Sequence, residues 1–121
     1  MISQKSYLIK AIYEWCQDNQ WTPYLAANVD QNTILPNELK QNKQIVLNIS
    51  FSATKDLEVK RDYISFKTNF SGTTHEVIIP TANVLAIFAK ENGQGMQFEQ
   101  EEHVNTNKEV KKTTSSLKIV K

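Results

Sequence analysis

The chain has 121 residues, enough for one domain or one domain with a tail, and enough for a modest core. Its 14 basic and 13 acidic residues leave a net charge of +1, so there is no bulk electrostatic case for nucleic acid, although a local patch is not ruled out. The single cysteine, Cys16, excludes an intrachain disulfide and fits a reducing cytoplasm.

At the N-terminus, Leu8, Ile9 and Ile12 are interrupted by Lys10 and Glu14, and no small-residue cleavage site follows. A signal peptide is therefore not expected. No apolar run approaches the roughly 20 residues of a membrane span. The expectation is a soluble, cytoplasmic protein.

Ser6–Gln20 reads as a helix, with Ser6 as N-cap and Pro23 just beyond its end. Ala11, Trp15, Leu8, Ile12, Cys16, Ile9 and Tyr13 spread over an arc of roughly 200°, about twice what a helix lying on one core needs. Either the helix is sunk deep in its own fold, or it has a second partner, for which a symmetric homodimer is the simplest choice.

Tyr24–Asp30 alternates Leu25, Ala27 and Val29 and reads as a first strand. Gln31–Lys43 is a loop with room for one helical turn. Gln44–Phe51 has the β-branched, apolar character of a central strand. Alternation puts Ile45, Leu47, Ile49 and Phe51 on one face and Val46, Asn48 and Ser50 on the other. The first row suits a core; the second is a floor on which something can be laid.

A connection at Ser52–Asp56, a short strand at Leu57–Val59 and a polar turn at Lys60–Asp62 come next. Tyr63–Phe70 alternates again, with Ile64, Phe66, Thr68 and Phe70 opposed to Tyr63, Ser65, Lys67 and Asn69. Ser71-Gly72 is a turn and Thr74–Ile79 another strand. Thr81–Val84 reads as one helical turn, followed by a hairpin of Leu85–Glu91 with Met96–Glu99. Asn92-Gly93 supplies the hairpin signal, since both residues tolerate the positive φ of a type I′ turn.

From about Gln100 to Ser116 the chain is polar, lacks aromatics and reads as a disordered linker. The closing Leu117-Lys118-Ile119-Val120-Lys121 has three apolar residues on a polar tether, the form of a short ligand for another protein's groove. The division is thus 1–99 folded, 100–116 linker and 117–121 docking peptide.

Little here suggests catalysis. There is no Gly-rich phosphate loop, His-x-x-x-His, paired Cys or Gly-x-Ser-x-Gly, and the chain has 3 glycines in all. His75 reads as a sheet-surface residue, His103 as solvated, Cys16 as a small core residue, and Trp15 and Trp21 as packing anchors. Neither an enzyme nor a metal or other cofactor is expected.

Three blocks carry a family resemblance: Tyr7-Leu8 through Tyr13-Glu14-Trp15, Asp18-Asn19-Gln20 and Thr22-Pro23; Gln44–Ile49; and Val84–Gly93 with Met96 and Phe98. In one register from Ser6 to Glu99 they resemble stringent starvation protein B (SspB), the specificity-enhancing adaptor of the ClpXP protease. The closing Leu117–Lys121 is similar to that family's protease-docking motif. The resemblance implies a mainly β fold with one N-terminal helix, a small Sm-like (SH3-like) barrel, and a homodimer made through the helix. Tyr7, Ala11 and Trp15 are the candidates for the dimer contact.

It also implies a groove for an unstructured peptide, the ssrA tag added to nascent chains on stalled ribosomes. Asn48, Ser50, Ser65 and Lys67 would line that groove, with Phe51, Phe66 and Thr68 forming or supporting its walls. Lys67, Lys60 or Arg61 would favour the tag's acidic residues. Leu117, Lys118, Ile119, Val120 and Lys121 would dock on the N-terminal zinc-binding domain of the ClpX unfoldase. A linker of roughly 17 residues reaches about 23 Å as a flexible chain; it is shorter and more mixed in charge than is usual in the family. The alternative is an Sm-like RNA-binding module, against which stand the near-zero charge and the lack of an aromatic, basic strip.

Overall fold

A computed structural model of the chain describes residues 3–99. The expected linker, His103 and the Leu117–Lys121 peptide lie outside the described residues.

Helix α1 spans Lys5–Asp18. It starts one residue before the expected N-cap: Ser6 is buried within the first turn and Gln4 holds the cap position with no side-chain bond. Instead the Lys5 N–H donates to Ser3 Oγ at 3.0 Å, satisfying one of the free donors at the helix start. At the other end Gln20 N–H donates to Gln17 O (3.0 Å) and Trp21 N–H to Cys16 O (2.8 Å). Gln20 takes a φ of 61°. This is the paired-bond ending usually built around glycine, here with glutamine in the left-handed position.

The strands are β1 (Pro23–Asn28), β2 (Gln44–Asn48), β3 (Lys55–Val59), β4 (Tyr63–Phe70), β5 (Thr73–Pro80), β6 (Val84–Ala89) and β7 (Gly95–Gln97). A short helix α2 (Asn37–Lys40) interrupts the loop after β1, and a 3-10 turn at Thr81–Asn83 leads into β6. One sheet has the order β2-β1-β6-β7 and the other β3-β4-β5, with every pairing antiparallel. The result is mainly β with one N-terminal helix, two sheets curled around a common core as an open small barrel.

The expected alternation holds where the strands are regular. Leu25, Ala27, Ile45, Val84 and Ile87 of the first sheet, with Ile49 just past the end of β2, meet Ile64, Phe66, Val77 and Ile79 of the second, and Ile9 of α1 joins them. Burying a side chain of this size is worth about 1.5–3 kcal/mol before entropy is charged against it. The loop between β1 and β2 closes one flank, because Ile34 and Ile78 exchange backbone bonds of 2.8 and 3.0 Å.

Three expectations need correction. First, β2 is the edge of its sheet, with β1 and β6 central; an apolar run does not by itself say how many neighbours a strand has. Second, β2 stops at Asn48, whose side-chain oxygen accepts the Ser50 N–H at 2.9 Å and turns the chain. Phe51 therefore leaves the core row and stands 78% exposed. Third, the β6–β7 connection is not a two-residue type I′ turn. Ala89 N–H pairs with Gln94 O at 2.8 Å, leaving a four-residue loop in which Gly93 alone has positive φ, 74°.

Helix α1 is not sunk deep. It buries Lys5, Ser6, Ile9 and Cys16, while Tyr7 is 57% exposed and Ala11 is open to solvent. Lys5 reaches the Ala82 carbonyl (3.2 Å) and lies 5.4 Å from the Phe98 ring, tying the helix start to the end of the barrel. Burial raises the Cys16 thiol pKa, and the Glu91 carboxylate adds to the shift. The thiol is thus held protonated, as suits a packing residue.

Glu91 fastens the other end of the helix. Its carboxylate takes the Thr22 N–H at 2.8 Å and the Thr22 hydroxyl at 2.7 Å. The backbone bond from Thr22, then its hydroxyl, hold the Glu91 pKa below its ordinary value. A lowered folded-state pKa gives stability that is present above the unfolded value and is lost as pH falls through the folded one. Glu91→Gln is therefore expected to melt below the parent at neutral pH and to converge with it only as pH falls through the lowered folded-state pKa of Glu91. Melting curves across that range test this; a constant gap would assign the effect to packing.

Candidate functional site

The hairpin β3–β4 makes the site because its strands are unequal in length. β4 runs to Phe70, whereas β3 begins only at Lys55, which pairs with Lys67. Thr81 N–H donates to Asp62 O at 2.9 Å, and from that bond the antiparallel alternation runs regularly along β4 and β5. It turns the backbone N–H and C=O of Asn69 away from β5, toward the side where β3 has already ended.

The chain entering β3 passes this open edge as a tight turn. Ala53 N–H and the Thr54 hydroxyl both donate to Ser50 O, at 3.0 and 2.9 Å. The Thr68 hydroxyl donates to Ala53 O at 3.1 Å and fixes the turn against β4. Between turn and strand lies a shallow cleft of about 240 Å³, bounded by Ser52–Lys55 on one side and Lys67–Asn69 with Thr74 on the other. The Thr74 hydroxyl donates to Asn69 Oδ1 at 2.8 Å across the β4–β5 pair.

The cleft is polar, open and edged by free backbone. Two lysines give it positive charge. Such a site can hold an extended chain by main-chain hydrogen bonds and small side-chain contacts.

Of the residues picked from the sequence, only Lys67 and Thr68 line this cleft. Ser50 holds the turn through its carbonyl, with its hydroxyl 3.4 Å from that of Ser52. Asn48 has its amide oxygen engaged by Ser50 and belongs to the other sheet. Ser65 stands opposite Glu58 further along β4. Phe66 is 2% exposed and supports β4 from the core side. Lys60 pairs with Glu58 at 3.6 Å and, with Arg61, sits at the far end of the hairpin.

Sequence reasoning missed Ser52, Ala53, Thr54, Lys55, Asn69 and Thr74 as lining residues. The run of Ser, Ala and Thr directly after an apolar strand was the available signal. A second hollow of about 580 Å³ on the other sheet, near Leu85, Phe88, Met96 and Phe98, contains none of the candidates.

The Tyr7, Ala11 and Trp15 positions form an apolar line along α1. Trp15 is half-buried and packs edge-on against Trp21, with ring centroids 5.1 Å apart. Among the described residues no group of three or more His, Cys, Asp or Glu side chains is placed to hold a metal ion. No helix there is long and apolar enough to cross a membrane.

Fold and cleft together define a small Sm-like domain with an open strand-edge groove. The family model described as "Stringent starvation protein B" matches residues 3–119. The chain is also 43% identical over 100 residues to the stringent starvation protein B homolog of Haemophilus influenzae, covering 82% of this chain and 67% of that one. The chain belongs to the stringent starvation protein B family.

Proposed function

We propose that the protein is a proteolysis adaptor that holds an unstructured, ssrA-type tag in the cleft beside β4 and tethers it to the ClpX unfoldase. The observation that carries this reading is the family match, which continues past the barrel to residue 119 and so takes in most of the closing apolar segment. The open edge of β4 is the physical counterpart: it offers main-chain partners to an extended guest without demanding a particular sequence.

Delivery is assigned to Leu117, Lys118, Ile119, Val120 and Lys121, docking on the zinc-binding domain of ClpX. A tethered substrate meets the pore at a raised effective concentration with no new contact there. The exposed line of Tyr7 and Ala11, continued by Trp15, is the surface for a homodimer. Two copies would put two clefts on one assembly.

Isothermal titration with an ssrA-tag peptide tests the first half. The second half is tested by deleting Leu117–Lys121, which is expected to leave peptide affinity unchanged and to remove the enhancement of degradation by ClpXP. Full enhancement by the truncated chain would reject the docking role.

A further inference from the structure

Among the described residues, one ion pair at the cleft joins a residue that lines it to one that does not. Lys55 and Lys67 are direct cross-strand partners, an arrangement of like charges that is unfavourable by itself. The next residue, Asp56, lies at the register shift between Lys55 and Glu58 and has a φ of 59°. An extra residue at such a position bends the strand and re-aims its side chain. Here the Asp56 carboxylate comes 3.7 Å from Lys67 Nζ, with 70% and 50% of the two side chains exposed.

An incoming peptide meets Lys67 at the mouth of the cleft, so a carboxylate on that peptide arrives where Asp56 already serves as counter-ion. Resting on the peptide-binding reading above, we propose that Asp56 is an internal competitor that sets how much the cleft favours acidic peptide side chains. The pair is exposed and its charges are 3.7 Å apart, so it is displaced and not locked. Its effect is to discount acidic guests relative to amide-bearing ones, which need no exchange of ion pairs.

The test uses the full chain, its Asp56→Asn variant and two peptides. One is the ssrA-tag peptide; the other is the same peptide with each carboxylate side chain replaced by its amide. Asparagine tolerates positive φ as aspartate does, so the bulge is kept. An exposed pair of this kind is worth up to about 1 kcal/mol. Asp56→Asn is therefore expected to tighten binding of the acidic peptide up to about fivefold, and of the amide peptide less than twofold.

Lys67→Gln, made alongside, is expected to leave the acidic peptide insensitive to Asp56→Asn, with only the preference that Lys55 supplies remaining. Equal affinities of parent and Asp56→Asn for both peptides would overturn the role of Asp56 alone. Binding of neither peptide by any of the proteins would overturn the peptide reading, and this inference with it.

Discussion

Gly95→Ala is expected to be the most damaging single methyl in the barrel. A Cβ placed on Gly95 runs into the Ile87 carbonyl oxygen and comes within 2.6 Å of Phe88 Cα. Both are backbone atoms of β6, which cannot yield as a flexible side chain would. The backbone at Gly95 is not left-handed, so the requirement is close approach and not conformational freedom. Forcing β7 outward breaks the pairing of Ile87 with Met96 and of Ala86 with Gln97. Overpacking of this kind costs about 1–3 kcal/mol, and a domain of this size loses roughly 4–8 °C in Tm per kcal/mol.

Gly93→Ala is the informative control. Gly93 has a φ of 74° and nothing within 4 Å of a Cβ. Its substitution charges only the left-handed penalty, about 1–2 kcal/mol, and leaves the strands paired. A loss of hydrogen-exchange protection along β7 in Gly95→Ala, absent in Gly93→Ala, separates the two mechanisms. A Tm for Gly95→Ala within a degree of the parent would mean that β7 does not lie against β6 in this register.

Local chemistry made part of the fold readable in advance. Tyr63–Phe70 was legible to the residue because its alternation and the turn after it agree. Ser71 and Gly72 both have positive φ, 56° and 80°, closing a hairpin in which Phe70 faces Thr73. Phe51 shows where such reasoning stops. Alternation extended to it, but a short polar side chain at Asn48 bonds the backbone two residues on, and this local bond competes with the strand.

Asn92-Gly93 had the residues for a two-residue turn, yet the pairing of Ala89 with Gln94 decides the loop length. The cleft was the least legible feature of all. It exists because β3 starts level with Lys67 while β4 continues to Phe70, and no single strand's pattern reveals the length of its neighbour. Lys67 and Thr68, which the family resemblance puts in or beside a groove, do line the cleft. Alternation alone places Asn69, beside them, only in the outer row of β4.

Asn69 is therefore where a substitution should separate folding from binding most cleanly. In Asn69→Trp an indole replaces a small amide at the open edge of β4, beside a cleft of about 240 Å³. It fills the space an extended peptide needs and screens the backbone groups that peptide would pair with. Binding of an ssrA-tag peptide is expected to weaken at least tenfold, the equivalent of about 1.4 kcal/mol. Stability should change little, since Asn69 is exposed and gives up only the surface bond from Thr74. Gln44→Trp, at an exposed position on the other sheet, controls for an added indole as such and is expected to bind like the parent. If Asn69→Trp binds the peptide undiminished while melting with the parent, the guest does not lie along this edge, and the hollow near Phe88 and Met96 becomes the place to look.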